Sequence, residues 1–98
     1  MKLLGPREKE ATVGHRGRFD IIANILNSSV NGAKKTQLMY KCNLSFKQLG
    51  TYLSFLVDKN LLNGKLLRQS RESVLYITTE KGLSFLKAYR TLNALLTT

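Results

Sequence analysis

The chain carries very little that can do chemistry. Its 98 residues include one histidine, one cysteine and only six acidic side chains. A single cysteine, Cys42, rules out an internal disulfide and fits a reducing, cytosolic setting. The lone histidine, His15, has no visible partner. The acids are scattered, with no pair placed to share general acid–base work. No phosphate-cradling glycine loop and no zinc ligand set occurs. An enzyme is therefore not expected, nor a cofactor, a metal or a small-molecule substrate. No apolar run approaches the roughly eighteen residues that a membrane span needs. The opening Met1-Lys2-Leu3-Leu4 is cut off by Gly5-Pro6 and the charges beyond, so it makes no signal-peptide core.

Positive charge is what the chain has in excess. Sixteen lysines and arginines against six acids leave a net charge of +10. A surplus of that size favours a polyanionic partner, because the summed field raises both local affinity and association rate. Nucleic acid fits better than an anionic membrane, and no membrane partner is expected. The hydrophobic fraction of 43% is ordinary for a globular protein, so one small folded domain is expected rather than a disordered basic tail.

Residues 1–17 hold Gly5, Pro6, Gly14 and Gly17 without periodicity. They read as a flexible basic arm in which Lys2, Arg7, Lys9 and Arg16 outnumber Glu8 and Glu10. Such arms add phosphate or minor-groove contacts in some DNA-binding proteins, but a frayed terminus is the commoner case and is preferred. Residues 18–29 form a helix with Phe19, Ile22, Ile25 and Leu26 as its core stripe. Asn27, Ser28, Ser29 and the Asn31-Gly32 pair end it. A short helix then starts at Lys34 or Lys35 and runs to about Cys42. Leu38 and Cys42 share its buried face with Met39, and Cys42 serves as a small core hydrophobe.

Asn43-Leu44 turns the chain. Ser45 is a good N-cap for the next helix, and Gln48 three residues on completes a capping box. On a helical wheel of residues 46–59, Phe46, Leu49, Tyr52, Leu53, Leu56 and Val57 share one arc and are expected in the core. Lys47, Thr51, Ser54 and Asp58 lie opposite. Phe55 falls on this polar face, packed on another element or open to a partner. Gly50 lies beside the apolar arc, where a missing side chain would let another helix come close. Asn60 is the expected left-handed terminator.

Residues 61–68 and 74–78 then read as two strands of a hairpin joined by the polar loop 69–73. Thr78 or Thr79 caps the last helix, whose first turn carries Glu80. Phe85, Tyr89, Leu92 and Leu96, with Leu86 and Leu95 alongside, make a short heptad-like seam. The last two turns have little of so small a domain left to pack on. Pairing with a second chain is therefore expected there in preference to inward packing.

Residues 33–62 are thus a helix-turn-helix, the centre of a domain of α+β class that is mostly α. From Lys34 to Arg71 the chain has eight basic residues and one acid, Asp58. In a DNA-binding helix-turn-helix, the exposed N-terminal part of the second helix enters the major groove. Here that part offers Ser45, Lys47, Gln48 and Thr51. Glutamine can bond adenine bidentately, lysine can reach guanine or phosphate, and the threonine methyl can meet a thymine methyl. Lys34, Lys35, Lys65, Arg68 and Arg71 are placed to neutralise phosphates of double-stranded DNA. Only Lys47 in the groove-facing set is charged, which favours general or weakly selective binding. A site-specific transcription regulator is the alternative, and a protein-interaction module is the second. RNA binding lacks a specific signal such as an exposed aromatic sheet platform.

The order helix, helix, turn, helix, hairpin, helix is the winged-helix plan. The segments RFDIIANIL, KTQLMYKCNLSFKQLGTYLSFL and YITTEKG go further. They resemble the archaeal winged-helix family of small DNA-binding regulators, and in particular the "ten-a" DNA-binding proteins of Sulfolobus. The resemblance implies a winged helix-turn-helix of three helices and a two-stranded wing over residues 18–78. It implies a C-terminal dimerisation helix over 79–98, with Phe85, Tyr89, Leu92 and Leu96 on the seam of an antiparallel coiled coil. It implies a cytoplasmic homodimer associated with the chromosome or nucleoid. Phe46 stands where relatives often have Tyr. The last helix is much shorter than in the best-known member, so no long rod is expected.

Overall fold

Each helix forms where apolar side chains recur on one face, and the first three stop at residues whose amides bond back to the preceding turn. The computed structural model describes residues 17–67 and 74–97. Residues 1–16 of the basic arm, His15 among them, together with Arg68 and the loop expected at 69–73, lie outside the described residues. Helix α1 (Arg18–Ser28) opens with Asp20 accepting from the Gly17 amide at 3.0 Å and buries Ile22, Ala23, Ile25 and Leu26. Gly32, at φ 96°, then turns the chain into a two-residue strand, β1 (Ala33–Lys34). Helix α2 (Lys35–Cys42) follows and buries Leu38 and Cys42. Asn43 ends it in the left-handed region at φ 53°.

Helix α3 (Phe46–Asp58) is the helix expected over 46–59. Asn60, at φ 65°, ends this segment in the left-handed conformation expected of it, and the Leu61 amide bonds back to the Leu56 carbonyl at 2.8 Å. Strands β2 (Leu62–Leu66) and β3 (Val74–Thr78) form the hairpin, and helix α4 (Glu80–Thr97) closes the chain. The sheet is antiparallel with order β1-β3-β2. Strand β1 was not expected. Two residues carry no periodicity, and they become a strand only because the turn at Gly32 lays Ala33 opposite Tyr76.

The core is one cluster in which Ile25, Leu26, Leu38, Leu49, Leu56 and Leu62 are shut off from solvent, with Leu86 of α4 sealing one side. Burial of such side chains is worth roughly 1.5–3 kcal/mol each. The expected core was too wide. Phe19 is 63% exposed and Phe46 60% exposed, and Val57 is also exposed. The neighbours of α3 cover only the centre of its apolar arc, at Leu49, Leu53 and Leu56, so residues at the rim of the arc stay wet. Phe19 packs edge-on against Phe85, with ring centres 6.3 Å apart. Among the described residues, no helix is long and apolar enough to cross a membrane.

One two-residue junction joins most of the elements. Thr78 bonds through its amide to the Ser29 carbonyl at 3.1 Å and through its hydroxyl to the Leu26 carbonyl at 2.6 Å. Thr79 bonds through its amide to the Leu61 carbonyl at 3.1 Å, and its hydroxyl accepts from the Gly82 amide at 3.0 Å. Of the two candidate caps, Thr79 therefore caps α4, while Thr78 is buried. The close seat of α4 requires glycine at position 82. A side chain there would collide with the Leu61 carbonyl oxygen and the Thr78 methyl. Because backbone cannot yield cheaply, Gly82→Ala should destabilise the fold by about 2 kcal/mol, read as a lowered midpoint in thermal or urea unfolding.

Candidate nucleic-acid interface

The turn between α2 and α3 sets how α3 is presented. The Leu44 amide returns to the Met39 carbonyl at 3.1 Å, and Ser45 enters α3 in an extended conformation. The capping box is formed in both directions. Ser45 Oγ accepts from the Gln48 amide at 3.1 Å, and Gln48 Oε1 accepts from the Ser45 amide at 3.0 Å. This order has a consequence for recognition. A bidentate contact to adenine needs the amide oxygen and nitrogen of Gln48 presented together, and here the oxygen is turned back onto the Ser45 amide. Thr51 Oγ1 donates to the Lys47 carbonyl at 3.2 Å, so its methyl is what the exposed face offers. Lys47 is exposed.

The two flanks of α3 differ. On one, Lys35 Nζ sits 3.8 Å from the centre of the Phe46 ring. A groove of ~400 Å³ runs beside it between α3 and the hairpin, with Lys35, Gly50, Ser54, Gly64 and Tyr76 in its lining. What approaches Gly50 from a second helix is the Lys35 side chain of α2, its Nζ 3.6 Å from where a Cβ at Gly50 would lie. On the other flank lies Phe55, with the Arg18 guanidinium 5.8 Å and the Lys59 ammonium 6.0 Å from its ring centre. Phe55 is thus a half-exposed ring between two cations, each contact worth about 0.5–1 kcal/mol at such exposure. Both aromatic seats were missed in the sequence. Lys35 and Arg18 lie eleven and thirty-seven residues from their rings, beyond any helical period, whereas Lys59 stands at i+4 from Phe55 and could have been paired with it on the wheel.

A helix-turn-helix with an exposed polar face on its second helix and a hairpin beside it is the geometry that the comparisons match. Residues 15–97 match the family model described as winged helix-turn-helix. The chain belongs to the winged helix-turn-helix family. Among solved structures it is similar to Sso10a-2, a DNA-binding protein from Sulfolobus solfataricus. The TM-score is 0.71 at 23% identity, over 82% of this chain and 81% of that one. It is similar to MepR from S. aureus in a complex with DNA, with TM-score 0.67 at 11% identity over 92% and 74% of the two chains. It is also similar to MarR from E. coli, with TM-score 0.66 at 16% identity, covering 89% of this chain and 63% of MarR. At these identities the likeness is one of fold. A comparison with curated protein sequences finds no match.

With the hairpin identified as the wing, the remaining expected residues can be placed. Lys34 is exposed at the start of α2, its amide donating to Gln37 Oε1 at 2.8 Å. Lys65 is exposed on β2 opposite Leu75. Strand alternation puts it on the face away from Gly64 and Tyr76, so it does not share the groove with Lys35. Arg68 and Arg71 lie outside the described residues. On α4, Phe85 and Tyr89 are partly buried and their rings stack, while Leu92, Leu95 and Leu96 are exposed. The seam expected for a partner is therefore split. Its first half lies against α1 of its own winged helix.

Tyr89 and Arg90 fasten that first half. Tyr89 Oη donates to Asp20 Oδ1, and Arg90 Nη2 donates to Asn27 Oδ1 at 3.1 Å. The hydrogen bond to Asp20 comes first among the causes that hold the Tyr89 proton on, followed by burial and the Asp20 charge. Together they push its pKa from 10.0 up to about 12. The folded state therefore holds this proton more tightly than the unfolded chain does. Its contribution to stability is whole below pH 10 and is lost as pH rises from 10 to about 12. Tyr89→Phe should flatten the fall in melting temperature across that window, measured against wild type in parallel scans.

Proposed function

We propose that this winged helix-turn-helix protein binds duplex DNA as a homodimer, with general or weakly selective affinity, and performs no chemistry. The observation that carries this reading is the state of α3. Its groove-facing surface is exposed and basic at Lys47, while the side chains that would read bases are tied to the helix itself. Ser45 and Gln48 are joined in the capping box, and the Thr51 hydroxyl is bonded to the backbone. Affinity then comes mainly from phosphate contacts by Lys34, Lys35, Lys65, Arg68 and Arg71. Phosphate contacts position a protein on the duplex, and base contacts specify where. Sso10a-2 and MepR, similar in fold, are respectively a DNA-binding protein and a protein solved with DNA.

A chromosome- or nucleoid-associated role in the cytoplasm follows from weak selectivity. Site-specific transcription regulation is the second reading. It is favoured by the likeness to MarR-family folds, and it requires the capping box to open so that Gln48 can reach a base. Pairing through α4 accounts for Leu92, Leu95 and Leu96, which no part of the described chain covers. A protein-interaction module is disfavoured by the net charge of +10.

Two measurements test this reading. The logarithm of the affinity for a random-sequence duplex should fall linearly with log salt, by about 0.9 for each phosphate neutralised. A near-flat line would exclude an electrostatic DNA binder. Sedimentation should give a dimer for the wild type, and Leu92→Glu with Leu96→Glu should shift it to monomer without lowering the helix content.

A further inference from the structure

We infer that the wing-side flank of α3 at Gly50 is a seat for one phosphodiester group of duplex DNA. It is built from the bare helix surface at Gly50, the Lys35 ammonium and the Ser54 hydroxyl. The inference rests on the DNA-binding reading above and adds a residue that neither charge nor base chemistry picks out.

The argument starts from a cost. Glycine inside a helix is less stable than alanine by about 1 kcal/mol, because it loses more chain entropy on folding. The two glycines within helices respond to this cost differently. At Gly82 packing requires it, since a side chain would strike the Leu61 carbonyl and Thr78. At Gly50 packing does not. A methyl group there would lie 3.6 Å from Lys35 Nζ, an ordinary contact, and beyond its own helix backbone and chain neighbours it would meet no other atom of the described residues within 4 Å. The fold alone gains nothing from glycine at this position. What it leaves is an open helix flank facing the groove between α3 and the wing.

The chemistry of that groove suits a phosphate. Among the described residues its lining holds Lys35 and Ser54, the apolar Leu53, Val57 and Val74, and no acidic side chain. The Lys35 ammonium is held over the Phe46 ring rather than free to sweep through solvent, so less ordering is lost when it meets an anion. The groove also lies beside the helix expected to enter the major groove, where a strand backbone must pass. A bare position in the helix lets that backbone come closer to the ammonium than any side chain would permit.

The test compares wild type, Gly50→Ala, Gly50→Leu and Lys35→Gln, using thermal melts and anisotropy titrations of a random-sequence duplex at several salt concentrations. Gly50→Ala should raise the melting temperature by roughly 4–8 °C yet weaken DNA binding. Gly50→Leu should weaken binding by roughly tenfold or more. Lys35→Gln and Gly50→Leu should each reduce the salt slope by about 0.9, and the double variant should lose no more than one such step. If wild type binds and the Gly50 variants bind equally well with an unchanged slope, this inference is overturned and the DNA-binding reading stands. If wild type ignores duplex DNA, both fall. Vesicles of anionic phospholipid form the second arm, and Gly50-dependent binding to them as tight as that to DNA would overturn the assignment to nucleic acid.

Discussion

The arrangement depends on the junction at Thr78 and Thr79. Four elements meet there: the end of α1 through Leu26 and Ser29, the end of α3 through Leu61, the last wing strand, and the first turn of α4 through Gly82. Both threonines use amide and hydroxyl together, Thr78 for the end of α1 and Thr79 to join Leu61 to the first turn of α4. The hydroxyl of Thr78 is buried, and leaving such groups unbonded would cost about 1–3 kcal/mol each. The junction ties the base of the wing to the exit of α3, and these bonded contacts set the angle between wing and α3. The groove between them is a product of that angle.

On this frame the work of binding divides unevenly. The face of α3 that would enter a groove holds its polar groups inward, in the capping box and in the bond from Thr51 to Lys47. Its cations are set to the sides, Lys35 on Phe46 toward the wing, and Arg18 and Lys59 about Phe55 toward α1. Aromatic rings that would be wasted as core residues act as seats that hold charge at the rim of the helix. A surface built this way grips a polyanion along its backbone and has little with which to tell one base pair from another.

Much of this was legible in the sequence, and the misses share a cause. The helices, the Ser45 cap with Gln48, the left-handed Asn60 and the hairpin strands follow from periodicity and local chemistry, and the structure has them. Cys42 is buried as a small hydrophobe should be. Phe19, Phe46 and Val57 were placed in the core because a wheel shows which side of a helix is apolar, but not how much of that side its neighbours cover. The capping box was anticipated, yet its effect on Gln48 was not, because one residue had been given two roles. The strand β1, the seats of Lys35 on Phe46 and Arg18 on Phe55, and the fastening of Tyr89 to Asp20 depend on residues distant in the chain, which no local pattern brings together.

The central claim is that the charge around α3, and not base readout from it, sets affinity. Selection of bound duplexes from a fully random pool, followed by sequencing, tests this most directly. The account predicts a bound pool whose base composition departs only slightly and diffusely from the input. Enrichment of one sharp motif, lost on Gln48→Ala, would contradict it.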